Sequence, residues 1–171
     1  VRMFRTGPLW FDSIQLWRLI VSSITASPPL LILGGTFQIP KLTKPFDPEK
    51  VFQNQAGLWV SEAFRRLALS GAKVVTKASA IEMSYADLSR QAGGTEIKAA
   101  LPAGKPPVQL WHLAHLLGKQ SKGQAGELTT DFVNLLDFGE FVVGAYWDAG
   151  DRKWIVFAWS WGDDDWLAEN R

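Results

Sequence analysis

Two runs near the C-terminal end, residues 141–147 and 154–161, are built from aromatic, β-branched and small residues. Between them lies the polar, glycine-containing stretch Asp148-Ala149-Gly150-Asp151-Arg152-Lys153. Side chains of the first kind fit a pleated, half-buried surface, and a short polar loop with glycine lets a chain reverse. The pattern predicts an antiparallel, tryptophan-rich hairpin with alternate residues facing a core. If the second run is an edge strand, at least one of Trp159 and Trp161 stays partly exposed.

The remainder alternates helical and extended patterns. Trp10, Ile14, Trp17, Val21 and Ile24 recur at steps of three and four, which predicts an amphipathic helix over residues 8–25. Leu30 to Leu33 form a short apolar run before Gly34-Gly35 and read as a buried strand or its approach. Residues 36–41, 51–55 and 73–76 read as strands. Gly57 is expected to open a helix with Val60, Phe64 and Leu67 on one face, and Gly71 to cap it in the left-handed conformation. Ser84 and Asp87 have capping-box spacing, which predicts a short helix over 85–91 and resembles the first half of a helix-turn-helix. Residues 108–117 read as a central apolar helix, 118–126 as a flexible polar loop and 130–137 as another short helix. The fold class expected is α+β in a single domain, 1–171. Within it, an N-terminal helix occupies 1–28, a core segment 36–77 and the hairpin 138–162.

A composition of 47% hydrophobic and 20% charged residues suits a chain that buries a core without staples. Cysteine is absent, which excludes disulfides and thiolate metal sites and fits a reducing compartment. The longest apolar stretch, residues 16–35, is broken by Arg18 and by Pro28-Pro29, so no membrane span is expected. Charge is polarised. Residues 36–77 carry seven bases against three acids (+4), whereas residues 131–171 carry nine acids against three bases (−6). Such a chain can present a basic face to an anion.

Few sequence patterns carry chemistry. His112 and His115 are three residues apart on one predicted helix but have no third ligand nearby in sequence, and they read as structural. The run Asp163-Asp164-Asp165 offers hard oxygen ligands, with Asp163 and Asp165 the candidate pair for Mg²⁺. The stretch around Gly118-Lys119 fails the Walker pattern, and no Gly-x-Gly-x-x-Gly occurs. Residues 57–71 are more suggestive: a glycine between a strand and a helix can aim backbone N–H groups at a phosphate, with arginines following. An anion site over residues 54–61 is therefore expected, with Gly57 and Ser61 holding phosphate and Arg65 or Arg66 as the supporting cation.

Phe37-Gln38-Ile39-Pro40-Lys41-Leu42-Thr43-Lys44-Pro45-Phe46-Asp47-Pro48, taken with the 57–71 stretch, resembles the ParB/sulfiredoxin fold. In that fold an Ile-Pro strand leads to a proline-bearing turn, a strand, a phosphate-binding turn, an alanine-rich helix and a glycine. Leu58-Trp59-Val60 stands here where the family carries Glu-Arg-Arg, and the sulfiredoxin cysteine is absent, which excludes that reductase chemistry. In size, lack of cysteine and an N-terminal helical segment, the chain resembles the plasmid-encoded fertility-inhibition proteins of the oncogenic-suppression type. The resemblance implies a mixed sheet with packed helices. It also implies a bacterial protein, cytoplasmic or peripheral at the inner membrane, that acts on plasmid DNA or T-DNA to block conjugative transfer. DNase and ATPase activity would come with it, using Mg²⁺ and ATP, and a protein of the transfer apparatus is a further partner. Carried onto this chain, the catalytic candidates are Glu62, Arg65 and Arg66, and the DNA-contacting candidates Lys73 and Lys77. The alternative is a non-enzymatic interaction protein that docks through its tryptophan-rich hairpin.

Overall fold

A computed structural model describes the backbone of residues 2–5 and all of residues 29–163. The helix expected over 8–25 lies outside the described residues, as does Asp165. The described architecture is α+β. One mixed sheet of seven strands comprises β1 (Arg2–Arg5), β2 (Leu31–Ile39), β3 (Leu58–Val60), β4 (Ile81–Leu88), β5 (Asn134–Asp137), β6 (Phe141–Asp148) and β7 (Lys153–Ser160), in the order β2-β4-β1-β5-β6-β7-β3. The helical elements are α1 (Pro48–Val51), α2 (Glu62–Phe64), which runs directly into a π-helical turn over Arg65–Leu69, α3 (Gly94–Ala100) and α4 (Leu110–Lys119).

The hairpin forms as its residues dictate. β6 and β7 pair antiparallel from Phe141↔Ser160 to Asp148↔Lys153. In the loop, Asp148 Oδ1 accepts from the N–H groups of Gly150 (2.9 Å) and Asp151 (3.1 Å), an Asx turn that closes it. β3 pairs in parallel with residues 154–156 of β7, so among the described residues the stretch beyond, 157–160, lacks a strand neighbour on that side. On that uncovered stretch Trp159 is half-buried, the partial exposure expected of an edge, while Trp161 is buried.

Four expectations are corrected. Residues 85–91 were expected to be helical, but residues 85–88 belong to β4, which pairs with β2 on one side and β1 on the other. Two strand partners outweigh one local capping pattern. Residues 130–137 also contain a strand: consecutive Leu135 and Leu136 are both fully buried, one on each face of the sheet. A strand covered on both faces reads as an apolar run and imitates a helix. Residues 51–55 hold no strand, since Pro48 at the first turn begins α1 there. Finally, Ile32 and Leu33, expected to be buried, are 54% and 66% exposed on the edge strand β2.

One face of the sheet, with Ile39, Met83, Leu136, Val143, Ala158 and Trp154, is covered by α4 through Trp111, Leu113, Leu116 and Leu117, and by Phe52 and Phe64. The other, with Ala86, Leu135 and Val142, meets Ile97 of α3 and Trp161. Gly144 makes one close approach possible: a Cβ there would stand 2.1 Å from the Phe157 ring.

The polar connection expected to be flexible is folded around the buried Gln120 amide, and the segment after it around Asn134. Gln120 donates through Nε2 to the carbonyls of Gln124 (2.9 Å) and Leu128 (2.8 Å) and accepts from the Leu128 N–H (2.7 Å). Asn134, fully buried, accepts from the Thr129 N–H (2.9 Å) and donates to the carbonyls of Thr129 and Ala145 (both 2.9 Å). Each side chain supplies the partners that irregular backbone lacks. Asn134→Leu keeps the branched shape but strands three backbone groups. It is expected to lower unfolding free energy by about 2–4 kcal/mol, read as a lower urea midpoint at unchanged slope. An unchanged midpoint would show the Asn134 network to be dispensable.

Candidate nucleic-acid interface

The stretch from Gly57 to Gly71 differs from its expected form at the start. Gly57 lies in a tight turn with φ +84°, flanked by reciprocal hydrogen bonds between Gln55 and Leu58 (3.0 and 3.1 Å). The helix does not begin there. Leu58-Trp59-Val60, a β-prone triplet, first pairs with β7, and Ser61 then caps α2 by accepting from the Phe64 N–H (3.1 Å). Within residues 54–61 several backbone donors are engaged: Val60 with Asn54 Oδ1 (2.8 Å), Ser61 with the Val156 carbonyl (2.9 Å), and Gln55 and Leu58 with each other. The Gly57 carbonyl accepts from the Trp154 N–H (2.9 Å). The turn is thus stitched to β7 rather than left open at a helix end.

Arg65 and Arg66 lie on the π-helical turn, closed by the Ser70 N–H donating to the Arg65 carbonyl five residues back (3.1 Å). Arg66 and Glu62 are exposed and Arg65 half-buried; among the described residues Glu62 forms no ion pair with either arginine. Gly71 follows with φ +78°, the left-handed cap expected of it. Asp163 is exposed just beyond β7, its N–H donating to the Ser160 carbonyl (3.1 Å). Among the described residues no three His, Asp or Glu side chains gather where they could hold a metal ion.

After Gly71 the chain forms a feature absent from the expected site. Residues 40–48 and 72–80 run antiparallel as an irregular ribbon, joined by the bridges Leu42↔Ala78 and Phe46↔Val75. Phe46 and Val75 exchange hydrogen bonds of 2.8 and 2.9 Å, and Leu42 donates to Ala78 (3.0 Å). Lys41 and Lys77 flank one bridge, Lys44 lies between the two, and Lys73 is two residues from the other. All four are exposed, and among the described residues none is in an ion pair. The ribbon's acid, Asp47, already pairs with Lys50 at 3.2 Å. Lys73 and Lys77 were anticipated as DNA contacts; Lys41 and Lys44 were not. The available signal was their proline-punctuated, extended surroundings, which place them beside the later pair only once the ribbon closes.

Next to the ribbon, the start of α4 is held by the buried His112. Its Nδ1 accepts from the Gln109 N–H (3.1 Å), while Gln109 Oε1 accepts from Trp111 Nε1 (2.9 Å). The accepting Nδ1 puts the imidazole proton on Nε2. Burial pushes the His112 imidazole down to about 4, and protonation would also remove the lone pair used at Nδ1. His115 is half-buried and shares no metal cluster with it among the described residues.

Comparison with family models, with curated proteins and with solved structures returns no match for this chain.

The His112 geometry sets a pH dependence. Below the ordinary imidazole pKa of about 6.5 the unfolded chain binds a proton that the folded chain refuses until about pH 4. Stability from this group is therefore complete above about pH 6.5 and falls as pH drops to about 4, by on the order of 3 kcal/mol. Urea unfolding across this range should show that decline, and His112→Gln should flatten it. An equal decline in the variant would assign the pH dependence to other groups.

Proposed function

We propose that this chain binds DNA through its phosphate backbone, with the 40–48/72–80 ribbon as the contact surface. The observation that carries the reading is the set of four exposed lysines, free of ion pairs among the described residues, on one two-stranded element. Unpaired lysines on a hydrogen-bonded ribbon meet phosphates without first breaking internal salt bridges, and each phosphate neutralised releases counterions. The π-helical turn leads directly into the ribbon's second strand, and Arg66 and Arg65 on it would extend the basic surface; arginine can grip phosphate in a bidentate fork. Plasmid DNA or T-DNA is the substrate that the fertility-inhibition resemblance suggests. Cleavage of that DNA with Mg²⁺, and hydrolysis of ATP, would draw on the exposed Glu62 and Arg66.

The reading of the hairpin as a docking surface is less well supported. Trp154 and Trp161 are buried and Trp147 packs against the main core.

Binding of duplex DNA should weaken as salt rises, with a log–log slope between about −3 and −4 if all four lysines reach phosphates. Lys73→Glu with Lys77→Glu should lower affinity on any sequence and flatten that slope by about 2. Fluorescence anisotropy across a salt series reads both effects. Salt-independent binding, or a double variant that binds like the parent, would overturn the proposal. Incubating plasmid with protein, Mg²⁺ and ATP tests the chemistry separately: nicked or linear product supports cleavage, and intact plasmid opposes it.

A further inference from the structure

An open groove of about 350 Å³ adjoins the ribbon, between the turn at Gly71 and the start of α4. Phe46, Trp111, Phe138 and Phe141 line it, with Lys73 and Gln109 also contributing. The Phe138 and Phe141 rings are stacked, with centroids 5.4 Å apart and planes 22° from parallel. The Trp111 indole is fixed by Gln109 and by an edge contact with the His112 ring, centroids 4.1 Å apart. Phe46, Lys73 and Val75 belong to groove and ribbon alike, so a strand whose phosphates follow the lysines passes the groove. A paired duplex keeps its bases stacked and cannot fill an apolar cleft beside its backbone. A single strand can, because each of its bases has a free π-face. The adjoining lysines select an anionic partner over an apolar peptide, and the volume lies at the small-ligand end of binding clefts.

We propose that this groove receives one unstacked base of a single-stranded nucleic acid, against the Phe138–Phe141 wall, while Lys73 meets the neighbouring phosphate. The inference rests on the phosphate-binding reading of the ribbon. The same chemistry is present in a free nucleotide, and the experiment separates the two sources.

The test measures anisotropy of the full chain at low salt with a labelled 20-nucleotide oligothymidylate, an abasic strand of equal length and a duplex of equal length. Base-bearing strand should bind on the order of tenfold tighter than abasic strand. Phe141→Leu should remove most of that difference without changing abasic binding. Ala72→Leu, which adds an uncharged side chain at the groove lining, serves as a second variant if Phe141→Leu does not melt like the parent, and should disfavour the base-bearing strand while leaving the abasic strand unaffected. Equal binding of base-bearing and abasic strands, with the duplex bound as well or better, would overturn the groove assignment and leave the ribbon reading intact. Binding of none of the three would overturn both. Displacement by thymidine monophosphate without any preference for the base-bearing strand would assign the groove to free nucleotides and overturn the strand assignment.

Discussion

Trp154 joins three parts of the chain that have no local reason to meet. Its indole N–H donates to the Gln120 carbonyl at 2.7 Å, and its backbone N–H donates to the Gly57 carbonyl at 2.9 Å. Its ring meets Trp147 across the hairpin at 5.7 Å between centroids. The side chain is 1% exposed, so the indole N–H has no water to fall back on and depends on that carbonyl. Through these contacts β7 holds the end of α4 on one side and the turn before β3 on the other. β3 delivers the chain to Ser61, where α2 starts. The π-helical turn and the second strand of the ribbon follow directly in the chain from that junction.

The proposed interface is therefore peripheral in one sense and anchored in another. The lysines are exposed on an irregular ribbon that adds no strand to the main sheet. The ribbon's apolar side is nevertheless tied down, because Phe46 is buried in the principal core and packs edge-on against Phe52, centroids 6.4 Å apart, which in turn contacts Phe64. A fixed apolar underside with exposed cations above suits backbone binding, where position matters more than base identity. Aromatic rings at the ribbon's flank supply the apolar surface that lysines alone lack.

Much of this was legible in the residues, for identifiable reasons. The hairpin was readable because both of its strands contain aromatic and β-branched residues around an Asp-Gly loop, and no competing pattern occupies them. α4 was readable because its apolar residues recur at helical spacing, and Gly71 because a glycine after a helical run has one common use. β4 and β5 were not. Ser84 and Asp87 carry a local helix signal that long-range pairing overrides, and Leu135-Leu136 looks helical only because both faces of its strand are covered. The candidate site was half visible: Lys73 and Lys77 stood out by charge, but their proximity to Lys41, Lys44 and the Phe138–Phe141 pair is a product of tertiary closure. The position of Gly57 misled for a related reason. Leu58-Trp59-Val60 inserts a strand where a helix start was expected, and its partner β7 lies about a hundred residues downstream.

The surface proposed for nucleic acid is the ribbon and groove rather than the tryptophan hairpin. Backbone amide shifts followed by NMR during titration with an oligothymidylate test it most directly. The account predicts movement at residues 41–47, 72–78 and 138–141, with Tyr146, Phe157 and Trp159 unaffected. Movement concentrated at those last three, with residues 72–78 silent, would contradict it.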